Sequence, residues 1–354
     1  MPTTDHNHHL LDLDIPIFRP IEGVFSERQL CELFFGLEGQ KAISTKYMYL
    51  NSGVETWKNR SVTNVSELIT LSHGNLAQQY SLMNDNLDLI LGLLSDKSVV
   101  NIVDIGPGSG YPTFPVLSFL QEQKKLGKYI AIDIAEGMCD LAINNLKSID
   151  ILNKMKTDKY VHDFEDGHFA DFMIKYRQPY MVNLFVFVGS TLGGMVDGYR
   201  ALANIRDSMT EGDLLWIGVT LDKGVEKLAN TYSKLKIGSQ EYYTKCRLFV
   251  SALESFGMEN WMDFGKVIVQ LSKNNDFLEY SFQIEKPFIL EIPKTGKTKK
   301  IVQLKYQKGD TIILNILKNY HENRLITEFR EAKLKVKLLT TSDDYRSALA
   351  LVSV

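Results

Sequence analysis

The stretch VDIGPGSGYP, Val103 to Pro112, constrains this chain more than any other part of it. Glycine stands at Gly106, Gly108 and Gly110, every second position, directly behind the acidic Asp104. Before it, SVVNIVDI is a short apolar run rich in β-branched side chains, the mark of a buried strand. After it, FPVLSFLQEQKK sets Phe114, Leu117 and Leu120 at helical spacing with a charged far side. Strand, glycine turn and helix in that order are the layout of a nucleotide-binding βα unit. Such a turn brings backbone amides close to a ligand, and the helix start favours negative groups. Tight βα turns also use glycine for steric reasons alone, so the turn by itself leaves the ligand open.

The alternation continues downstream. YIAIDIA (Tyr129 to Ala135) is expected to be a second strand, followed by the helix EGMCDLAINNLKSI. YMVNLFVFVGST (Tyr180 to Thr191) is a continuous apolar strand ending in a small polar turn, and GYRALANIRDSM and TEGDLLWIGVTLD add a helix and a strand. Strands apolar on both faces and separated by helices argue for a buried parallel sheet of the doubly wound α/β class. Upstream, residues from about 25 to 95 are expected to be helical: SERQLCELFFGL opens on Ser26 as an N-cap, and NDNLDLILGLLSD has an apolar face. After Asp222 the pattern changes. EYYTKCRLFVSALESFG is helical, EYSFQIEKPFILEIPKTGKTKKIVQLKYQKGD gives strands around a basic turn (Lys294, Lys297, Lys299, Lys300), and TIILNILKNYHENRLITEFREA gives one further helix. KLKVKLLTT and YRSALALVSV close the chain as strands.

At 44% hydrophobic and 23% charged residues, the chain can bury a sizeable core. A net charge of −3 gives no general pull toward nucleic acid or acidic membranes. Cys31, Cys139 and Cys246 are scattered with no CxxC pair, as expected of reduced thiols in a cytoplasmic protein. No apolar run reaches membrane-spanning length, and the N-terminus is polar where a signal peptide would be apolar. His6 to His9 (HNHH) are expected to fray with the terminus, so no metal site is expected.

The next acidic residues point to the ligand. Asp133 ends the second strand, where a carboxylate can accept both hydroxyls of a ribose; a helix N-cap is the alternative. HDFEDGH supplies Asp163, able to take an adenine amino group, and Phe164, able to lie along the ring. A dinucleotide fingerprint reads G-x-G-x-x-G, whereas here the spacing is G-x-G-x-G behind Asp104. With no pyrophosphate to cradle, that combination favours S-adenosylmethionine.

From about Lys46 to the C-terminus the chain resembles the histidine-specific N-alpha-methyltransferase family, which includes the ergothioneine-pathway enzyme and the dimethylallyltryptophan N-methyltransferases. KYMYLNSG resembles the family's K-[WY]-F-Y-D-x-x-G segment, whose second aromatic, here Tyr49, helps close the cofactor pocket. DIGPGSG, AIDIAEGMCDLA and HDFED match its cofactor turn, ribose strand and adenine segment. FVGSTLGGM matches FLGSTIGN, the most specific of these motifs, and brings in Gly189, Ser190 and Thr191. LDK, Leu228 and Tyr232 follow the family's path into its substrate domain, and GDTIILNILKNY lies where the family carries E-x-S-x-K-F. The resemblance implies a class I methyltransferase sheet with a second, α+β substrate-binding domain. It divides the chain at 1–75 (part of the lid), 76–224 (cofactor core), 225–320 (substrate domain) and 321–354 (a helix and strands completing the core).

The departures bear on the acceptor. Gly194 stands where the histidine enzymes have an Asn that helps hold the substrate carboxylate, and the Glu and Ser that read imidazole fall near Asn315 and Leu317. The lysine that often follows the cofactor turn is absent, with Pro112 and Thr113 nearby. Losing a buried pair of polar partners forfeits roughly 1–3 kcal/mol per unmatched group, so histidine is not the expected acceptor. Gly193 and Gly194 leave space for a bulkier one, or only permit close helix–strand packing. Tyr49, Tyr232 and Asn315 are the candidates to orient the acceptor, with purely structural roles equally open. The expectation is N-methylation of a small amino-acid-derived amine, the enzyme having no partner beyond that substrate and enzymes of the same pathway. O- or C-methylation of a natural-product intermediate, or cofactor binding without catalysis, are the alternatives.

Overall fold

The computed structural model describes residues 15–61, 64–70, 74–94, 99–149, 151, 155–293 and 301–354. The His6–His9 run and the basic turn at Lys294–Lys300 lie outside the described residues.

The N-terminal part holds β1 (Ile17–Phe18), α1 (Glu27–Phe35), a 3-10 turn (Thr45–Tyr49), α2 (Ser52–Arg60), α3 (Val65–Thr70), α4 (Asn75–Asn84) and α5 (Leu87–Leu93). Ser26 caps α1 through a capping box: its hydroxyl accepts from the Gln29 N–H and the Gln29 side chain accepts from the Ser26 N–H. Then come β2 (Val99–Ile105), α6 (Phe114–Glu122), β3 (Leu126–Asp133), α7 (Glu136–Ser148), β4 (Thr157–Val161), α8 (Ala170–Met173), β5 (Met181–Phe187), α9 (Thr191–Gly194), α10 (Gly198–Asp207) and β6 (Leu214–Thr220). The rest is α11 (Asp222–Ser233), α12 (Gln240–Glu254), β7 (Gly265–Leu271), β8 (Phe277–Ile284), β9 (Phe288–Pro293), β10 (Ile301–Tyr306), β11 (Thr311–Lys318), α13 (Glu322–Glu331), β12 (Lys335–Thr341) and β13 (Ser347–Ser353).

Seven strands form the central sheet in the order β12-β13-β6-β5-β2-β3-β4. β2 to β6 run parallel, and β13 lies antiparallel between β6 and β12. This is the doubly wound, Rossmann-like sheet that the family resemblance implies. Its strands are apolar throughout because both faces are covered. Ile102, Val186 and Trp216 pack with α4 to α7 on one side; Ile105, Phe187 and Ile217 pack with α10 and α13 on the other. Each such side chain, fully buried, stabilises the fold by about 1.5–3 kcal/mol. A third core gathers α1 and α12 against two small sheets, β1-β9-β10 and β11-β8-β7.

The strand order reverses at β2, whose neighbours are β3 and β5. In such a sheet the crevice beyond the carboxyl ends at that switch point is where ligands bind.

The single helix expected over TIILNILKNYHENRLITEFREA is two elements. Its first part is β11, which pairs with β8 and buries Ile312 and Leu314; only the second part is helix, α13. Thr311, Ile312, Ile313 and Ile316 are β-branched, and pairing with a distant strand outweighs their local helical spacing. β7 was not among the expected strands, although GKVIVQL has the β-branched content of one.

Candidate functional site

The glycine turn opens onto a cavity of about 400 Å³ beyond the ends of β2 and β5, lined by Gly106, Pro107, Gly108 and Ser109. Gly106, Gly108 and Gly110 have φ of 59°, 56° and 77°, in the left-handed region that side chains other than glycine's avoid. Their surroundings differ. A Cβ on Gly106 would face Thr191 and one on Gly108 the Trp57 indole, both cavity residues. A Cβ on Gly110 would press on the backbone of Ala142 in α7, 3.0 Å from its carbonyl oxygen. Gly110 does not line the cavity; it lets α7 pack against the turn.

Two buried carboxylates face the same space. Asp104 accepts bonds from the hydroxyls of Thr113 and Tyr129, each 2.7 Å from Oδ2, and burial pushes its pKa up to about 6. Asp133, at the tip of β3, accepts the Ala135 N–H at 2.9 Å, and burial raises it to about 7. The residue in the cap position of α7 is Ala135, so Asp133 is not that helix's N-cap. Phe164 lies edge-on to Phe187, with ring centres 5.6 Å apart.

Asp163 is already engaged: Oδ2 lies 2.6 Å from Lys46 Nζ, and Oδ1 accepts the Glu165 N–H. Lys46 also bridges to Glu32 at 2.8 Å, so the cation ties α1 and the 3-10 turn to the segment after β4. Burial acts to lower the Lys46 pKa, but these two bonds outweigh it and raise it. Beside them Glu165 is pushed by burial to about 7.

The turn after β5 is held by a buried glutamine. The Gly189 N–H donates to Gln79 Oε1 (2.6 Å) and Gln79 Nε2 donates back to the Gly189 carbonyl (3.1 Å). Ser190 Oγ lies 2.8 Å from Thr220 Oγ1. Gly193 and Gly194 then let α9 approach β11: a Cβ on Gly193 would sit 2.8 Å from Leu317 Cδ1, and one on Gly194 3.3 Å from the Thr45 methyl. Gly193 is packed against β11, whereas Gly194 lines the cavity.

The opposite wall is aromatic. Tyr49 stands edge-on to Trp57 at 5.7 Å, and Tyr232 contacts Tyr280 at 5.4 Å and Phe249 at 6.0 Å. Asn315 sits at a β-bulge in β11 and accepts from the Thr45 hydroxyl at 2.7 Å, with Leu317 two residues on. Leu228 and Tyr232, four residues apart on α11, share the face that lines the cavity.

The cavity thus brings together Tyr49, Asp104, Gly106, Gly108, Asp133, Asp163, Phe164, Gly189, Ser190, Thr191, Gly194, Tyr232, Asn315 and Leu317, and of the expected residues omits Gly110 and Gly193. Sequence reasoning missed Trp57, Arg60, Glu165, Phe249 and Tyr280. Trp57 and Arg60, three apart on α2, carried a signal in their shared helix face. Phe249 and Tyr280 carried none, being indistinguishable in sequence from ordinary core aromatics. Among the described residues no cluster of His, Cys, Asp and Glu could hold a metal ion, and no helix is long and apolar enough to cross a membrane.

The residues fit an S-adenosyl cofactor. Two acidic side chains are buried at the glycine turn, and the Trp57 indole N–H, buried beside Gly108, has no acceptor among the described residues. Unlike the equally unpartnered Trp216 and Trp261 donors, it borders the cavity, where a bound ligand can supply an acceptor.

Three solved structures are similar to this chain at low identity. An S-adenosylmethionine-dependent methyltransferase from Clostridium acetobutylicum matches with 10% identity, covering 78% of this chain and 92% of that one, at a TM-score of 0.41. The CcbJ methyltransferase from Streptomyces caelestis matches with 11% identity, 77% and 95% coverage and a TM-score of 0.38. The PH0226 protein from Pyrococcus horikoshii matches with 12% identity, 80% and 95% coverage and a TM-score of 0.40. No curated protein matches the chain. The model of the histidine-specific, S-adenosylmethionine-dependent methyltransferases matches residues 30–354, and the chain belongs to that family as an S-adenosylmethionine-dependent methyltransferase.

Proposed function

We propose that this enzyme N-methylates an amino-acid-derived amine other than histidine. The observation that carries the reading is the wall facing the glycine turn, where Tyr232, Phe249, Tyr280 and Leu317 are joined by Asn315, a neutral amide already bonded to Thr45. Among the described residues, that wall carries no carboxylate to offer an imidazole ring. An aromatic or apolar side group suits it better, since an unmatched polar ring would lose roughly 1–3 kcal/mol per group there.

S-adenosylmethionine, when bound, supplies a methyl group already activated on a sulfonium. The chain's own work is to hold and align. Gly106 and Gly108 allow close approach of the backbone, Asp104 accepts from an ammonium, and Asp133 accepts from ribose hydroxyls. Asp163 and Phe164 take the adenine, Gly189 and Ser190 complete that side, and Tyr49 with Trp57 closes over it. Thr191, Gly194, Tyr232, Asn315 and Leu317 surround the acceptor, with Tyr49, Tyr232 and Asn315 orienting its nitrogen. Aligned proximity in a site that excludes water accounts for ~7–11 kcal/mol of barrier lowering, and a neutral amine needs no strong base. In this reading residues 1–75 and 225–320 form the substrate side, with 76–224 and 321–354 as the cofactor core.

The test is transfer from carbon-13 methyl-labelled cofactor to the twenty amino acids and their decarboxylated amines, with NMR of the products. Label on nitrogen of an aromatic or apolar substrate is expected. Label on oxygen or carbon overturns the assignment of reaction type, and transfer confined to histidine overturns the acceptor.

A further inference from the structure

Three indole N–H groups, those of Trp57, Trp216 and Trp261, are buried with no acceptor among the described residues. Trp216 and Trp261 are sealed in the apolar cores. Trp57 alone of the three lines the cavity. The edge it turns to the glycine turn is the one that carries the donor: a Cβ on Gly108 would lie 3.3 Å from Nε1 and 3.4 Å from Cζ2. Tyr49, edge-on to the indole at 78°, holds the plane of the ring. A side chain at position 108 would cover the N–H, which is a second reason for glycine there beside its φ of 56°.

The same turn has no counter-charge for an anion. Gly106 to Thr113 contains no basic residue. Of the two cations that line the cavity, Lys46 is held between Asp163 and Glu32, and Arg60 lies over the Phe249 ring at 5.6 Å. A carboxylate brought to this turn therefore depends on neutral donors, and the Trp57 N–H has nothing else to bind.

We propose that the Trp57 indole N–H donates to the carboxylate at the amino-acid end of S-adenosylmethionine, and that Trp57 thereby selects cofactors that carry this group. The inference rests on the cofactor placement proposed above and deepens it. β2, β3 and β4 are neighbours in the sheet, roughly 4.8 Å apart. With adenine at Asp163 and ribose at Asp133, the amino-acid end falls at the turn after β2. Its ammonium goes to Asp104, and its carboxylate, repelled by that acid, lies on the other side of the α-carbon, toward α2 and Trp57. A hydrogen bond to an ionised acceptor is stronger than one to a neutral acceptor, and a buried donor left without a partner is costly. The indole thus distinguishes a ligand with the carboxylate from one without it.

The test needs neither acceptor nor turnover. The full chain, its tryptophans labelled with nitrogen-15, is titrated with S-adenosylhomocysteine and with the decarboxylated analogue that keeps adenosine, thioether and ammonium. The Trp57 indole proton should move downfield with the first ligand only, while those of Trp216 and Trp261 stay in place. In calorimetry Trp57→Phe, which keeps an aromatic ring, should weaken S-adenosylhomocysteine about tenfold and the analogue by less than twofold. An indole proton that responds alike to both ligands overturns the proposal on the parent protein alone. A Trp57→Phe variant that keeps its S-adenosylhomocysteine affinity, or weakens both ligands equally, overturns it too. Asp133→Ala tests the placement separately, because it should weaken both ligands to the same extent. If it weakens neither, the ribose assignment falls while the selective response of Trp57 stands.

Discussion

The two ends of the cavity are built on different principles. The end proposed for the cofactor is made of backbone and strand tips: Gly106 and Gly108 in left-handed conformation, and the carboxylates of Asp104, Asp133, Asp163 and Glu165 at or just after β2, β3 and β4. Each is fixed by its place in a parallel sheet, so its position in the chain dictates its position in space. The end proposed for the acceptor is assembled from side chains of the 3-10 turn, α2, α11, α12, β8 and β11, which meet only through long-range packing. On the proposed reading, one end keeps a fixed ligand and the other changes its ligand by changing a few side chains.

The largest effect expected on this contrast comes from the backbone that carries the acceptor wall. A Cβ on Gly53 would lie 1.9 Å from the Met48 carbonyl oxygen, so Gly53→Ala must push α2 away from the 3-10 turn. A loss of ~3 kcal/mol is expected in urea unfolding, the upper range for overpacking. A variant as stable as the parent shows that the two segments are not locked together as described.

Asp133→Ala should weaken S-adenosylhomocysteine by ~1–3 kcal/mol in calorimetry through lost charge-assisted bonds, with the fold intact. Its pKa of about 7, and that of Asp104 near 6, give the pH dependence a sign. The ligand's donors favour the ionised carboxylates, so affinity should fall as pH drops below 7 and fall further through 6. One pKa unit corresponds to about 1.4 kcal/mol. Asp133→Asn should flatten the upper part of that profile. For the ligand-free protein the sign reverses: both carboxyls titrate above their unfolded value of 3.8, so they favour folding below pH 3.8 and that contribution is lost as pH rises to about 7. Thermal melts in which it grows with pH contradict this.

The acceptor end should respond to chemistry without touching the cofactor. Asn315→Glu with Leu317→Ser restores the pair that the family resemblance assigns to imidazole, and should raise methylation of histidine about tenfold or more. No gain means that β11 does not face the acceptor's side group. The smallest effect is expected from Gly194→Asn, whose Cβ needs the Thr45 methyl to give by a few tenths of an ångström. Acceptor turnover should fall while cofactor affinity stays within about 0.5 kcal/mol. Full activity of that variant removes Gly194 from the acceptor pocket.

The same contrast explains what the sequence disclosed. Asp104, Gly106, Gly108 and Asp133 were legible because motif spacing and strand ends locate them without tertiary knowledge. Gly110 shares the motif but serves helix packing, a distinction that only the approach of Ala142 makes visible. The apolar spacing of β11 suits both helix and strand over a short run, and pairing with β8 decides for strand. Arg60, Phe249 and Tyr280 meet across long stretches of chain, and no local pattern announces such a meeting.

On the proposed function, the cofactor end follows its family while the acceptor end has left histidine. Labelled-methyl transfer to free histidine, on protein shown by calorimetry to bind S-adenosylhomocysteine, tests it most directly. We expect micromolar binding, on the order of −8 kcal/mol, and no trimethylated histidine above the enzyme-free control. Efficient conversion of histidine to its trimethyl betaine would contradict the account.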